Sequence, residues 1–180
     1  MKKRVKISQG NRGMAFENML ERANDQYDKA DIAVINKLPT PVKVIRLRMG
    51  RIIDGVYDKK STVDYKGTYK GRSIYFEAKS TIETTRFDLN NIHMHQVEFL
   101  EKAQRHGAIC FFLIEFAKKG EVYFVTLPVI QMALLHASAD GPKSIPYKDF
   151  KEYAYLVPKT KRALLDYLVY VDKLIEESAA

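Results

Sequence analysis

Cysteine is almost absent from this chain: Cys110 is the only one. A lone thiol closes no intrachain disulfide and offers no zinc spacing, so neither device holds the fold. Its place inside the apolar run "AICFFLIEF" points to a buried thiol in a reducing compartment. Long apolar runs are missing as well. No stretch of about 18 apolar residues occurs, which excludes a membrane-spanning helix. The basic start "MKKRVKISQGNRG" is followed by no apolar segment, so no secretory signal is expected there. There are no repeats and no low-complexity tract. Acid is the scarcer charge: 22 Asp and Glu stand against 30 Lys and Arg, a formal net charge of +8. That excess suits a polyanion, either nucleic acid or an anionic membrane surface, and carries no sequence specificity.

What is present reads as one globular domain. The 180 residues are enough for a sizeable core, and 46% apolar with 29% charged is an ordinary soluble composition. Residues 1–12 are polar and basic and are expected to form a mobile arm, leaving 13–180 as a single domain. Phe16, Met19, Leu20, Ala23 and Tyr27 recur at helical spacing, and "DIAVINK" (31–37) reads as a strand. The two prolines of "LPTPV" then break regular structure.

From about 39 to 60 the chain reads as a protruding hairpin with a basic face. Val42, Val44 and Leu47 alternate there with Lys43, Arg46 and Arg48, and Gly50 and Gly55 supply turns. "STVDYKGTYKGRSIYFEAKS" predicts two strands around a glycine turn, and residues 91–106 a helix. "AICFFLIEF" predicts a strand covered on both faces, and "EVYFVTL" another. Pro128 opens a predicted helix running to Leu135. A loop follows, then a last helix from near Lys161 with Leu164, Leu168, Val171 and Ile175 on one stripe. The order α-β-(arm)-β-β-α-β-β-α-α is that of a mixed α/β domain.

Chemistry concentrates in "IYFEAKS" (74–80). In a strand, Glu77 and Lys79 share one face, and the turn before them brings Asp64 close. An acid upstream of an acid-x-lysine is the pattern of metal-dependent phosphodiesterases. Two carboxylates hold a hard divalent cation, and the lysine orients the attacking water and offsets charge growing on phosphorus. The bland alternative is a solvated strand ion pair of little energetic value. Thr62 shares a face with Asp64 if both lie on a strand, Glu17 borders the apolar stripe of the first helix, and Gln96 borders that of the later helix. Each also has an ordinary surface reading.

The segments "GNRGMAFENML", "AVINKLPTPV", "STVDYKGTYKGRSIYFEAKST" and "FDLNNIHMHQVEFL", in this order and spacing, resemble the RecU family of Holliday junction resolvases over roughly residues 10–130. The resemblance implies a restriction-endonuclease-like α/β core, with a mixed central β-sheet flanked by helices and a protruding stalk. It implies a homodimer that uses Mg²⁺, with Mn²⁺ as a substitute, to nick opposed strands of a four-way DNA junction. It places Asp64 and Glu77 as metal-binding acids, Thr62 and Gln96 as accessory metal positions, Lys79 as the transition-state lysine and Glu17 as the first-helix acid. The segment from Pro39 to about Lys60 corresponds to the stalk at the junction centre. The stretch before "GNRG" is shorter here than in many members, a departure from the family pattern.

Several basic and aromatic residues carry a DNA-facing expectation beside an ordinary one. Tyr65 and Tyr69, interleaved with Lys66, Lys70 and Arg72, either grip phosphates and stack on bases or form a plain hairpin. Arg46, Arg48 and Arg51 suit phosphates. Lys37 either reaches DNA or caps its strand, and Arg12 suits a phosphate clamp. His93 and His95, two apart, read as surface or DNA-facing residues rather than zinc ligands. A cytoplasmic DNA enzyme, cellular or phage-encoded, is therefore expected, and protein partners such as a recombinase or helicase are not legible. The alternatives are a non-catalytic branched-DNA-binding module and a sequence-specific restriction-type endonuclease.

Overall fold

The computed structural model describes residues 9–58 and 62–179. The recurrence of Phe16, Leu20, Ala23 and Tyr27 does build a helix, α1 (Gln9–Lys29), and all four are buried. It starts inside the segment expected to be a mobile arm, and residues 1–8 of that arm lie outside the described residues.

Six strands form the central sheet. In chain order they are β1 (Val34–Lys37), β4 (Tyr65–Tyr69), β5 (Arg72–Thr81), β7 (Ile109–Phe116), β8 (Glu121–Thr126) and β10 (Tyr155–Leu156), and they lie side by side in that same order. β5 and β7 are parallel, whereas every other neighbouring pair is antiparallel. A parallel pair needs a crossover, and α2 (Met94–Arg105) supplies it. On one face Phe16, Leu20 and Tyr27 pack on Phe76, Phe111 and Leu113, joined by Tyr167 and Val171 near the C-terminus. On the other, Val97 and Leu100 of α2 cover Phe112 and Ile114, with Ile130 of α3 (Leu127–Ser138) and Phe150 of α4 (Tyr147–Tyr153). Because both faces are covered, every residue of β7 is buried, as a continuous apolar run predicts. Cys110 is among them, and burial pushes its thiol up to about 12, so it stays protonated.

The mixed α/β architecture matches the expectation, and several boundaries do not. β1 is shorter than 31–37. Residues 161–167 are irregular, and the last helix, α5, runs from Leu168 to Ala179. The reason is a polar network in place of helical bonding. The fully buried Asp166 accepts from Tyr27 Oη at 3.0 Å, from Arg162 Nε at 2.8 Å and from the Thr160 hydroxyl. Asp172 accepts from Arg162, Tyr69 and Lys70 at 3.0, 2.8 and 2.7 Å. The stretch expected as a loop after α3 contains α4 and β10. It also contains β9 (Ser144–Pro146), which pairs with β6 (Arg86–Asp88), and these short strands have no periodicity to betray them.

Outside the main sheet, β2 (Val42–Arg48) and β3 (Arg51–Tyr57) form a separate two-stranded hairpin exposed along its whole length. Met49 and Gly50 at its tip both have positive φ, the two-residue turn that matches strand twist. Register shifts around Arg46 spoil the simple alternation expected of a basic face.

Gly67 of β4 is a close-approach position. A Cβ there would lie 2.4 Å from the Val34 carbonyl oxygen on β1. Gly67→Ala is therefore expected to push β1 off the sheet edge and destabilise the fold by about 2 kcal/mol or more, measured by urea unfolding. An unchanged midpoint would show that β1 yields freely.

Candidate active site

The β4–β5 register sets the site. Tyr65 pairs with Phe76, so Asp64, just before β4, lies across from Glu77. The two acids are latched through the main chain. The Asp64 N–H donates to Glu77 Oε2 at 3.1 Å, and the Ala78 N–H donates to Asp64 Oδ2 at 3.1 Å. The Leu38 N–H donates to the Asp64 carbonyl at 2.7 Å, fixing the same residue from the β1 side. Glu77 Oε1 accepts from Gln96 Nε2 of α2 at 2.6 Å and from Lys79 Nζ at 2.7 Å.

Glu77 is 1% exposed, and the charge beside it is crowded. Burial and the neighbouring Asp64 carboxylate push the Glu77 carboxyl up to about 7, while Lys79 pulls the other way. One ammonium on Glu77, beside the half-buried Asp64 carboxylate, leaves negative charge that a cation would relieve. The donor chemistry fits one. Two carboxylates offer hard oxygens, and the buried Gln96 Oε1 has no hydrogen-bond partner among the described residues. Those residues contain no group of three or more His, Cys, Asp and Glu that could cage an ion. Magnesium, which binds through one or two carboxylates and keeps several waters, suits such a sparse set.

Of the expected site residues, Asp64, Glu77, Lys79 and Gln96 come together. Thr62 and Asp64 were expected to share a strand face, but both precede β4 in an irregular bend, where the Thr62 side chain is exposed. Glu17 lies on α1, and its Oε2 is 2.5 Å from Lys37 Nζ, so each supplies the other's countercharge.

The base-stacking expectation for "YKGTYKGR" is overturned. Tyr65 and Tyr69 are 0% and 4% exposed, packed in the core beneath α1. Their two-step spacing with Gly67 is the inward face of a strand, a signal as legible as the basic interleaving. Lys66 is exposed. Lys70 is bound to Asp172, and Arg72 Nη2 lies 3.4 Å from Ser178 Oγ, so both face α5 at the end of β4–β5 away from Asp64. Arg46, Arg48 and Arg51 are exposed on the hairpin, with Arg48 directly opposite Arg51. Arg12 falls within α1, and its side chain lies outside the described residues. His93 caps α2 and His95 is inside it. Their rings stack at 5.7 Å and 12°, closer than two positions on one helix would bring them. The main-chain half of the latch, at Asp64 and Ala78, has no side-chain signature and was invisible in the sequence.

Residues 11–173 match the family described as recombination protein U. The chain is 38% identical over 170 residues to the Holliday junction resolvase RecU of Geobacillus sp. (strain WCH70), covering 92% of this chain and 85% of that protein. It is 40% identical over 174 residues to the Holliday junction resolvase RecU of Staphylococcus aureus (strain JH9), covering 94% and 84%. Among solved structures, Hjc, a Holliday junction resolvase of Archaeoglobus fulgidus, superposes on 62% of this chain and 77% of its own, with TM-score 0.38 and 13% identity. Matched over nearly its whole length by the family and by relatives at this identity, the chain belongs to the recombination protein U (RecU) family.

Proposed function

We propose that this protein is a structure-specific endodeoxyribonuclease that nicks opposed strands of four-way DNA junctions with Mg²⁺, Mn²⁺ substituting. The observation that carries the reading is the latched pair Asp64 and Glu77, with Lys79 on the other Glu77 carboxylate oxygen, Oε1, which it shares with Gln96. The names of the curated relatives supply the substrate class. Asp64, Glu77 and the Gln96 amide oxygen would hold the ion, and Thr62 lies near enough in sequence to add an outer contact. Bound there, the cation supplies Lewis acidity toward the scissile phosphate and activates water. Glu77 keeps Lys79 in place, and the ammonium is positioned to stabilise charge developing on the phosphate. Gln96 fixes the Glu77 carboxylate and excludes alternative rotamers.

The hairpin supports a second copy as partner. Ile45, Leu47, Met49, Ile52, Ile53 and Tyr57 are all exposed on it, and a two-stranded ribbon is marginal alone in water. Pairing with the same surface of another copy buries them and sets two sites about a two-fold axis, one for each opposed strand. Lys66 and the hairpin arginines would meet phosphates. No helix among the described residues is long and apolar enough to cross a membrane, and we place the enzyme with bacterial DNA in the cytoplasm.

The test incubates the protein with end-labelled four-way junction, duplex and flap DNA, with and without Mg²⁺. Paired, symmetric nicks in the junction, abolished by chelation, are expected. Cutting of plain duplex at a fixed short site would establish the restriction-type reading instead. Tight junction binding with no cutting in any metal would establish a binding module.

A further inference from the structure

On β5, Tyr75 precedes Glu77 by two residues, and both side chains meet α2, Tyr75 at Phe99 and Glu77 at Gln96. They therefore share one face of the sheet. The Tyr75 and Phe99 rings pack edge to face, with centroids 5.2 Å apart at 84°. Val97 and Leu100 are the buried contacts of α2 with the sheet, whereas Tyr75 and Phe99 are only half-buried. Beside the two rings lies an open cleft of about 500 Å³, lined by Ser73, Tyr75, Phe99, Lys102, Ala103 and His106. Arg72 also borders it, but its guanidinium turns to Ser178 of α5. No acid borders the cleft among the described residues.

The sheet connects this cleft to the candidate active site. Lys66 is the cross-strand partner of Tyr75, and Thr68 that of Ser73, so all four side chains lie on the face that Glu77 shares. Asn36 and Val34 of β1 extend the same two rows. Val34, Asn36, Lys66, Thr68 and Ser73 are all exposed, so nothing covers this corner of the sheet among the described residues. Lys102 and His106 are exposed too, and Lys66, Lys102 and His106 form no ion pair among the described residues. Rows two residues apart are separated by about 7 Å, which puts Tyr75 about 7 Å and Ser73 about 13 Å from Glu77 along the strand. At a rise of about 3.4 Å per nucleotide, that span is about two to four nucleotides of a bound strand.

We propose that the Tyr75–Phe99 cleft receives one unstacked nucleobase of the strand that is cut, within about four nucleotides of the scissile phosphate. Lys66 and Lys102 meet the phosphates beside that nucleotide. The inference deepens the nuclease reading and rests on it, because that reading places the scissile phosphate at Asp64 and Glu77. A base suits the cleft on both counts: its face is apolar like the two rings, and its edge offers partners to the Ser73 hydroxyl and the His106 imidazole. A bare phosphate would make no use of the rings. Lys102 alone has a simpler role at the negative end of α2, so the aromatic pair is what singles out a base. Unstacking a base costs least where stacking is already interrupted, as at a strand exchange.

The experiment measures junction affinity of the full chain in EDTA, so that nothing is cut. Four-way junctions are used intact or with a single abasic site at each position near the crossover in turn. One abasic position is expected to weaken wild-type binding about tenfold, the effect of losing one base–aromatic stack. Phe99→Ala should weaken binding of the intact junction by a similar factor, and that variant on that abasic junction should lose no more than either change alone. Thermal unfolding checks that Phe99→Ala is folded; if it is not, Phe99→Leu, which keeps the bulk without the ring, takes its place. Lys66→Gln and Lys102→Gln should each flatten the slope of log affinity against log salt by about 0.9. Wild-type affinity at every abasic position, losses that multiply, or an unchanged slope in both lysine variants would overturn the assignment. If the wild type nicks junctions in Mg²⁺ while no abasic position matters, only this inference fails. If one position matters as expected while nothing is nicked in Mg²⁺ or Mn²⁺, only the nuclease reading fails.

Discussion

Asp64→Asn is expected to lower junction nicking by about a thousandfold or more while leaving the protein at least as stable. The activity loss follows from removing one of the two carboxylates proposed to hold the cation, a contribution of several kcal/mol of barrier at about 1.4 kcal/mol per tenfold. The stability argument is local. Asparagine keeps an oxygen for the Ala78 N–H and deletes the negative charge beside buried Glu77. Without metal, the raised Glu77 carboxyl means the folded state binds a proton that the unfolded chain releases at lower pH. Stability is therefore lost as pH rises from the unfolded carboxylate range toward about 7. Asp64→Asn removes part of that loss, so its gain in melting temperature should be larger at pH 8 than at pH 5. Junction affinity measured without divalent metal should barely change, because basic residues dominate it. Nicking at the wild-type rate would remove Asp64 from the site.

Arg46→Gln, Arg48→Gln and Arg51→Gln made together should produce the second large effect, on binding instead of chemistry. Arg48 and Arg51 face each other directly across the hairpin, a like-charge pairing unfavourable in isolation and relieved by a polyanion. If each arginine neutralises one phosphate, the slope of log affinity against log salt should flatten by about 2.7. Affinity should fall most at low salt, and single-turnover nicking of the saturated complex should survive. An unchanged slope would remove the hairpin from the DNA-binding surface.

Much of this architecture was legible because it is written in side-chain periodicity. The α1 stripe, the wholly apolar β7 and the shared face of Glu77 and Lys79 each follow from a repeat of 3.6 or 2 residues. The failures share a different physical cause. β6, β9 and β10 are two or three residues long, too short for a pattern to show. Residues 161–167 carry apolar spacing that imitates a helix, yet Asp166 drew their bonds toward Tyr27 and Thr160. Tyr65 and Tyr69 were ambiguous because their neighbours are basic, and only the packing beneath α1 shows which face won. Asp64 was identified as an acid, but its grip on Ala78 and Glu77 runs through peptide groups common to every residue.

The Asp172 knot has a practical corollary for anyone shortening this chain. One carboxylate on the final helix gathers groups from Tyr69 and Lys70, at the turn that leads into β5. Trimming the tail before residue 160 would strip Tyr27 of its acceptor and uncover Phe76 and Phe111, the floor beneath Asp64 and Glu77. The fold cannot be reduced to its motif-bearing first two-thirds: residues 160–172 form the back wall of the sheet that carries Asp64 and Glu77.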